Sequence, residues 1–168
     1  MSFIYSKKMG YIYFELNDRK LKINKENSQD IWIWKATAKP YWTRPALNID
    51  KGGYFVVRIG SKQMKHHRVV FYAHNQDWDI HDSSQLNLID HKDQNRKNNN
   101  SDNLRVATKQ QNNWNMKNVK GYYWKPTLKK YQAFIHLNNK PKYLGLFATE
   151  EMAHLAYLIA KEKYHPDW

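Results

Sequence analysis

The chain has 168 residues, with 28 Lys and Arg against 15 Asp and Glu for a formal net charge of +13, and it has no cysteine. Without thiols, disulfides, thiolate zinc sites and cysteine nucleophiles are excluded, and a pI near 9.7 makes a polyanion the natural partner. No stretch approaches the roughly eighteen consecutive apolar residues that a bilayer span requires, and no signal-peptide pattern occurs. We therefore expect a soluble, intracellular protein of the cytoplasm or nucleoid (the nucleus in a eukaryote), with no membrane partner.

Residues 1–51 read as a variable, β-rich leader. Short apolar runs at Tyr11–Leu16 and Ile31–Lys35 are separated by a polar segment and followed by a turn region with Pro40, Trp42 and Pro45. Gly52-Gly53 then punctuates the chain, and Tyr54–Ile59, β-branched and aromatic, predicts a strand closed by Gly60.

Lys65–His74 has helical periodicity, with Val69, Val70 and Ala73 on its inner face. His67 and Arg68 on it are candidates to support a site or touch phosphate, and a packed helix with outward basic residues is the alternative. The eight histidines are scattered or adjacent rather than spaced one helical turn apart, which argues against a structural zinc site. The polar stretch that follows holds Asp77, Asp79 and Asp82, but it lacks the glycine and terminal glutamate of a calcium loop and reads as a connection.

The densest chemistry lies between Leu86 and Asn113. Leu86, Leu88 and Ile89 predict a short strand that delivers Asp90-His91 at its end, and a polar excursion, residues 92–102, leads to a second strand over Asn103–Ala107. Thr108 with Gln111 three residues on is a capping-box signature, so a helix starts there and carries Asn112 in its first turns. Phosphodiester hydrolysis needs a cation on the phosphate and a base for the attacking water. Asp90 and Asn112 offer oxygen donors suited to a hard ion such as Mg²⁺, and His91, with an ordinary pKa near ~6.5, can accept a proton at neutral pH.

This stretch, IDHKDQNRKNNNSDNLRVATKQQNN, resembles the core of the HNH (ββα-metal) nucleases, above all the phage and intron homing endonucleases, whose motif reads D-H-x-D-x-N-x-x-N-N…N-L-R…T-x-x-x-N. The H-R-V-V run at His67–Val70 matches the segment that precedes the motif in that family. The resemblance implies that Asp90 and Asn112 hold a divalent metal, Mg²⁺ or Mn²⁺, that His91 activates water, and that Asn103 holds the His-bearing loop. Asn112 stands where other HNH proteins have a third histidine, a variant that the homing branch itself uses.

From Lys120 the pattern changes. Gly121–Lys125, Tyr131–Leu137 and Lys142–Phe147 predict three strands, with a turn at Asn138-Asn139, and Thr149 caps a final helix with acids in its first turn and lysines near its end. With Ala133, Ile135 and Leu137 facing inward, Gln132, Phe134 and His136 face out as part of a basic-aromatic surface. The segment KGYYWKPTLKKYQAFIHLNNKPKYLGLFATEEMAHLAYLIAKEKYH resembles the APETALA2-type DNA-binding domain. That resemblance implies a sheet laid in the major groove, with contacts from Lys120, Tyr123, Lys125, Phe134, His136 and Tyr143. Phe134 replaces an acid of the plant proteins, so base preference is not carried over.

The expectation is thus an α+β protein: a leader over 1–51, a ββα-metal HNH nuclease core over 52–118, and an APETALA2-like DNA-binding domain over 119–168, a small three-stranded antiparallel sheet packed on one helix. Its function would be metal-dependent hydrolysis of duplex DNA as a homing-type endonuclease. We expect a monomer that nicks one strand, with no small-molecule substrate. The alternatives are a non-catalytic DNA-binding regulator that keeps the nuclease fold, and an RNA-binding protein.

Overall fold

A computed structural model describes residues 10–138 and 140–168, so the first nine residues of the leader and Asn139 of the expected turn lie outside it. The chain divides into two compact units after Thr108. Both are mixed α and β, with small antiparallel sheets and few helices.

In the first unit, strands β1 (Tyr11–Leu16), β2 (Arg19–Asn24), β3 (Ile31–Lys35) and β4 (Tyr41–Thr43) form an antiparallel sheet in chain order. Asn17 and Asp18, at φ 50 and 56, make the two-residue turn between β1 and β2, the left-handed conformation that matches the twist of paired strands. Strict alternation buries Phe14, Leu16, Leu21, Ile23, Ile31 and Ile33 on one face. On the other face the Lys22 ammonium lies 4.9 Å from the rings of both Tyr11 and Trp42. Strand β2 falls within the segment expected to be polar, because Arg19, Lys20 and Lys22 mask the alternation of Leu21 and Ile23.

A second sheet joins β5 (Leu47–Ile49), β6 (Phe55–Ile59) and β7 (Lys62–Lys65), and helix α1 (His66–His74) follows β7 directly. Strands β8 (Leu88–His91) and β9 (Leu104–Ala107) pair antiparallel. All of these share one core: the inner residues of the first sheet pack with Val57 and Ile59 of β6, Val69, Val70 and Ala73 of α1, and Ile80, Ile89 and Leu104. Each valine, leucine, isoleucine or phenylalanine among them contributes about 1.5–3 kcal/mol on burial. The residues of the leader therefore build the floor under α1 and β8.

The second unit begins with the short helix α2 (Lys109–Trp114) and continues with β10 (Tyr122–Lys125), β11 (Lys130–Leu137), β12 (Lys140–Phe147) and helix α3 (Glu150–Tyr164). The three strands form an antiparallel sheet in chain order, with a register shift between Ala133 and Phe134. Ile135 packs on Tyr157 and Ala160 of α3. The Thr149 hydroxyl accepts from the Met152 N–H at 3.3 Å, and Glu150 and Glu151 sit in the first turn against the positive end of the helix dipole. Gly121, at φ +73, passes so close to Tyr157 that a Cβ there would lie 2.0 Å from the ring.

Candidate active site

The Asp90-His91 pair closes β8. Antiparallel pairing sets Asp90 opposite Arg105 on β9, and the guanidinium reaches the Asp90 Oδ2 from Nε at 3.1 Å and from Nη2 at 3.0 Å. The carboxylate is buried, 7% exposed, so the cation opposite it offsets the cost of taking the charge out of water and fixes the orientation of the group.

His91 is 4% exposed. Its Nε2 lies 2.8 Å from Oδ1 of Asn99, and the Nδ2 of the same amide lies 2.9 Å from Nδ1 of His66 on α1. The His67 ring meets His91 edge-on at 4.9 Å, and Tyr54 stands against both, at 5.3 and 6.0 Å. Burial lowers His66 to about 4 against the opposing effect of the Ser28 backbone. Burial, reinforced by the neighbouring His91, Lys65 and Arg68, lowers His67 to about 3. Both rings are therefore neutral at pH 7.

The loop between β8 and β9 is closed by Asn103. Its backbone carbonyl accepts from the Lys92 N–H at 2.8 Å and its Oδ1 accepts from the Asp93 N–H at 3.0 Å. Its Nδ2 donates to the Asp93 carboxylate at 2.9 Å and to the Asn98 carbonyl at 2.8 Å. Burial pushes the Asp93 carboxyl up, but hydrogen bonds from Asn98, the Asn95 backbone and Asn103 outweigh it and hold the group below its ordinary value.

On the rim, Tyr54 carries two cations on its ring, the Lys65 ammonium at 4.2 Å and the Arg96 guanidinium at 5.1 Å. Lys65 is paired to Asp50, which also accepts from the Gly52 and Tyr54 N–H groups. Arg96 donates to the Gly52 carbonyl at 2.8 Å.

Arg68 turns inward. Its guanidinium donates to the carbonyls of Asn87, Ile80 and Asp82 at 3.1, 2.7 and 2.8 Å and lies over Trp78 at 4.6 Å. It pins the connection from α1 to β8. Of the two residues expected to support the site, His67 touches His91, and Arg68 acts one step further out through this loop.

In the second unit, Asn112 is half-buried on α2, whose last residue, Trp114, stacks on His165 at 3.8 Å. Ala133 and Ile135 are buried against α3, while Tyr123, His136 and Tyr143 are exposed. Tyr123, Phe134 and His136 form an aromatic row, with centroids 5.8 and 5.4 Å apart. Lys125 reaches the Gln132 amide oxygen at 3.4 Å, and Lys120 is exposed, its ammonium 5.9 Å from the Tyr122 ring.

Comparison with known families bears on the first of these regions. Residues 65–114 match the family model described as HNH endonuclease. No curated protein and no solved structure matches the chain. The match covers less than a third of the chain, from α1 through α2, and it supports an HNH nuclease acting on DNA.

Within the matched segment, the sequence reading gives roles to Asp90, His91 and Asn103, whereas His66, Asn99 and Arg105 receive none. Arg105 was open to inference, since pairing the two apolar runs antiparallel sets it opposite Asp90. Asn99 falls on the second asparagine of the motif's N-N pair, but the sequence assigns it no role, which emerges only where α1 closes over it.

Proposed function

We propose that this protein is a metal-dependent endonuclease of the homing type, hydrolysing phosphodiester bonds in duplex DNA. The observation that carries the reading is the buried Asp90-His91 pair at the end of β8, the carboxylate oriented by Arg105 and the imidazole by Asn99, inside the segment that matches the HNH endonucleases.

Asp90, and by the family pattern Asn112, would hold a divalent cation, Mg²⁺ or Mn²⁺. The donor chemistry fits: a buried, oriented carboxylate oxygen and an amide oxygen suit a hard ion that takes one or two protein ligands and keeps several waters. No cluster of three or more His, Cys, Asp or Glu side chains able to hold a metal occurs among the described residues. When bound, the cation stabilises the negative charge that develops on the phosphate and the leaving oxygen.

The remaining chemistry belongs to the chain. His91 takes the proton of the attacking water, and Asn103 keeps the loop that carries it closed. His67 stays neutral beside it and adds no positive charge to repel a cation. Lys65 and Arg96, at the rim over Tyr54, face the polyanion with positive charge.

The functional division we favour follows the sequence reading, a nuclease part over 52–118 and a DNA-gripping part over 119–168. In the latter Lys120, Tyr123, Lys125, Phe134, His136 and Tyr143 meet the duplex, and the aromatic row, exposed at Tyr123 and His136 and half-buried at Phe134, supports that role. One such site in a monomer cuts one strand. The test is incubation of supercoiled plasmid with Mg²⁺ or Mn²⁺ and with EDTA. Metal-dependent open circles are expected, linear product would point to double-strand cleavage, and binding without cutting on target DNA would favour the regulator.

A further inference from the structure

Three side chains from separate places in the chain, the proposed general base among them, meet at one buried amide. Asn99 is 2% exposed, and its amide is shared between two imidazoles, that of His91 at the end of β8 and that of His66 at the start of α1. Both histidines are buried, at 4% and 0% exposed. A buried polar group is retained only where its partners are in place, and an amide has a polarity: its oxygen accepts and its nitrogen donates.

We propose that Asn99 is a positioning residue for His91, holding its imidazole in the tautomer protonated at Nε2 so that Nδ1 carries the lone pair, and that His66 fixes the direction of the Asn99 amide. This rests on the nuclease reading above and adds to it the residues that set the base. The argument is geometric. With Oδ1 on His91 at 2.8 Å, the His91 Nε2 must be the donor, and a neutral ring then leaves its second nitrogen as the proton acceptor. A flipped amide would reverse this and put a proton on the nitrogen that has to take one.

His66 opposes that flip. Its Nδ1 lies 2.9 Å from the Asn99 Nδ2, and in the Nε2-protonated form of this ring, kept neutral by burial, Nδ1 is the acceptor. The His67 and Tyr54 rings close off the sides of His91, so rotation about its ring bond is restrained as well. The three residues thus act as a chain in which each hydrogen bond fixes the direction of the next.

The experiment labels the histidines of the full chain with ¹⁵N and reads the His91 tautomer by long-range proton–nitrogen correlation, the His91 signals being identified by their loss in His91→Ala. In parallel, single-turnover cleavage and duplex binding are measured for Asn99→Ala, Asn99→Asp, His66→Gln and His66→Leu. The wild type should show the Nε2-protonated form. Asn99→Ala should lose that preference and cut roughly 10–100-fold more slowly, the range typical of orienting partners, with duplex affinity unchanged.

Asn99→Asp, which keeps an acceptor for His91, should recover part of the rate. His66→Gln, which keeps an acceptor for the amide, should exceed His66→Leu. An Nδ1-protonated His91 in the wild type, or an unchanged tautomer and rate in Asn99→Ala, overturns the proposal. Should Asn99→Ala fail to fold, the contrast between His66→Gln and His66→Leu decides in its place, and equal rates there overturn it. The tautomer reading does not depend on cleavage. A wild type that never cuts would count against the nuclease while leaving the role of Asn99 measurable.

Discussion

Asn103 and Asp93 grip each other twice: the Asn103 amide donates to the Asp93 carboxylate at 2.9 Å, and its oxygen accepts the Asp93 N–H at 3.0 Å. Together they turn the polar run after His91 into a closed loop whose two ends sit at β8 and β9.

Asn103→Ala removes all the side-chain bonds of that closure at once. Asp93 is exposed, so water replaces the lost partners and the cost should be about 0.5–1.5 kcal/mol, with His91 loosened. We expect a lower melting temperature and cleavage reduced by roughly 10–100-fold, with duplex affinity kept. Melting curves and single-turnover rates check this, and a variant equal to the wild type in both would show that the loop holds without Asn103.

Acid should weaken the first unit through His66 and His67. Their folded values, about 4 and about 3, lie below the ordinary 6.5, so the unfolded chain takes up protons first. Stability from these rings is complete above pH ~6.5 and is lost as the pH falls toward 4 and 3, at up to about 1.4 kcal/mol per pH unit for each ring. Denaturant unfolding between pH 7 and pH 4 should show the loss, and His66→Gln should reduce its slope. A slope unchanged by that substitution would contradict the assignment.

Gly121→Ala should destabilise the second unit. The position has φ +73 and a Cβ would lie 2.0 Å from Tyr157 Cγ, so left-handed strain of about 1–2 kcal/mol adds to overpacking of about 1–3 kcal/mol. Thermal unfolding should reveal a large loss, and Tyr157→Leu should relieve part of it. A neutral Gly121→Ala would mean that α3 shifts freely.

Lys120→Ala and Tyr143→Ala should weaken duplex binding while leaving the cleavage rate of bound DNA unchanged. For Lys120, which we propose contacts the duplex backbone, the dependence of affinity on salt should become shallower by about one counterion. An unaltered salt slope and affinity in both variants would remove the C-terminal sheet from the DNA interface.

Much of this layout was legible because the residues that carry it speak locally. Ile89 and Val106 flank polar neighbours at strand spacing, Thr149 announces α3 by its capping geometry, and the alternation of Ala133 and Ile135 separates the two faces of β11. What stayed hidden depends on contacts distant in sequence. Strand β2 was masked by Arg19, Lys20 and Lys22 around Leu21 and Ile23, whose burial is set by β1 and β3. The inward turn of Arg68 depends on carbonyls twelve to nineteen residues away. Asn99 stands in the quoted motif, but its partners become visible only where α1 brings His66 to it. The exposed apolar residues of α3, Met152, Leu155 and Ile159, likewise emerge only once Ala153 and Ala160 are seen to face the sheet.

The central claim is that His91 is the base of a metal-dependent DNA nuclease. The direct measurement is conversion of supercoiled plasmid carrying a cleavable target, in Mg²⁺ and Mn²⁺, by the wild type beside His91→Ala, with duplex binding followed for both. The account predicts open-circular product from the wild type alone, none with EDTA, and equal binding by the two proteins. Cleavage by His91→Ala at the wild-type rate would contradict it.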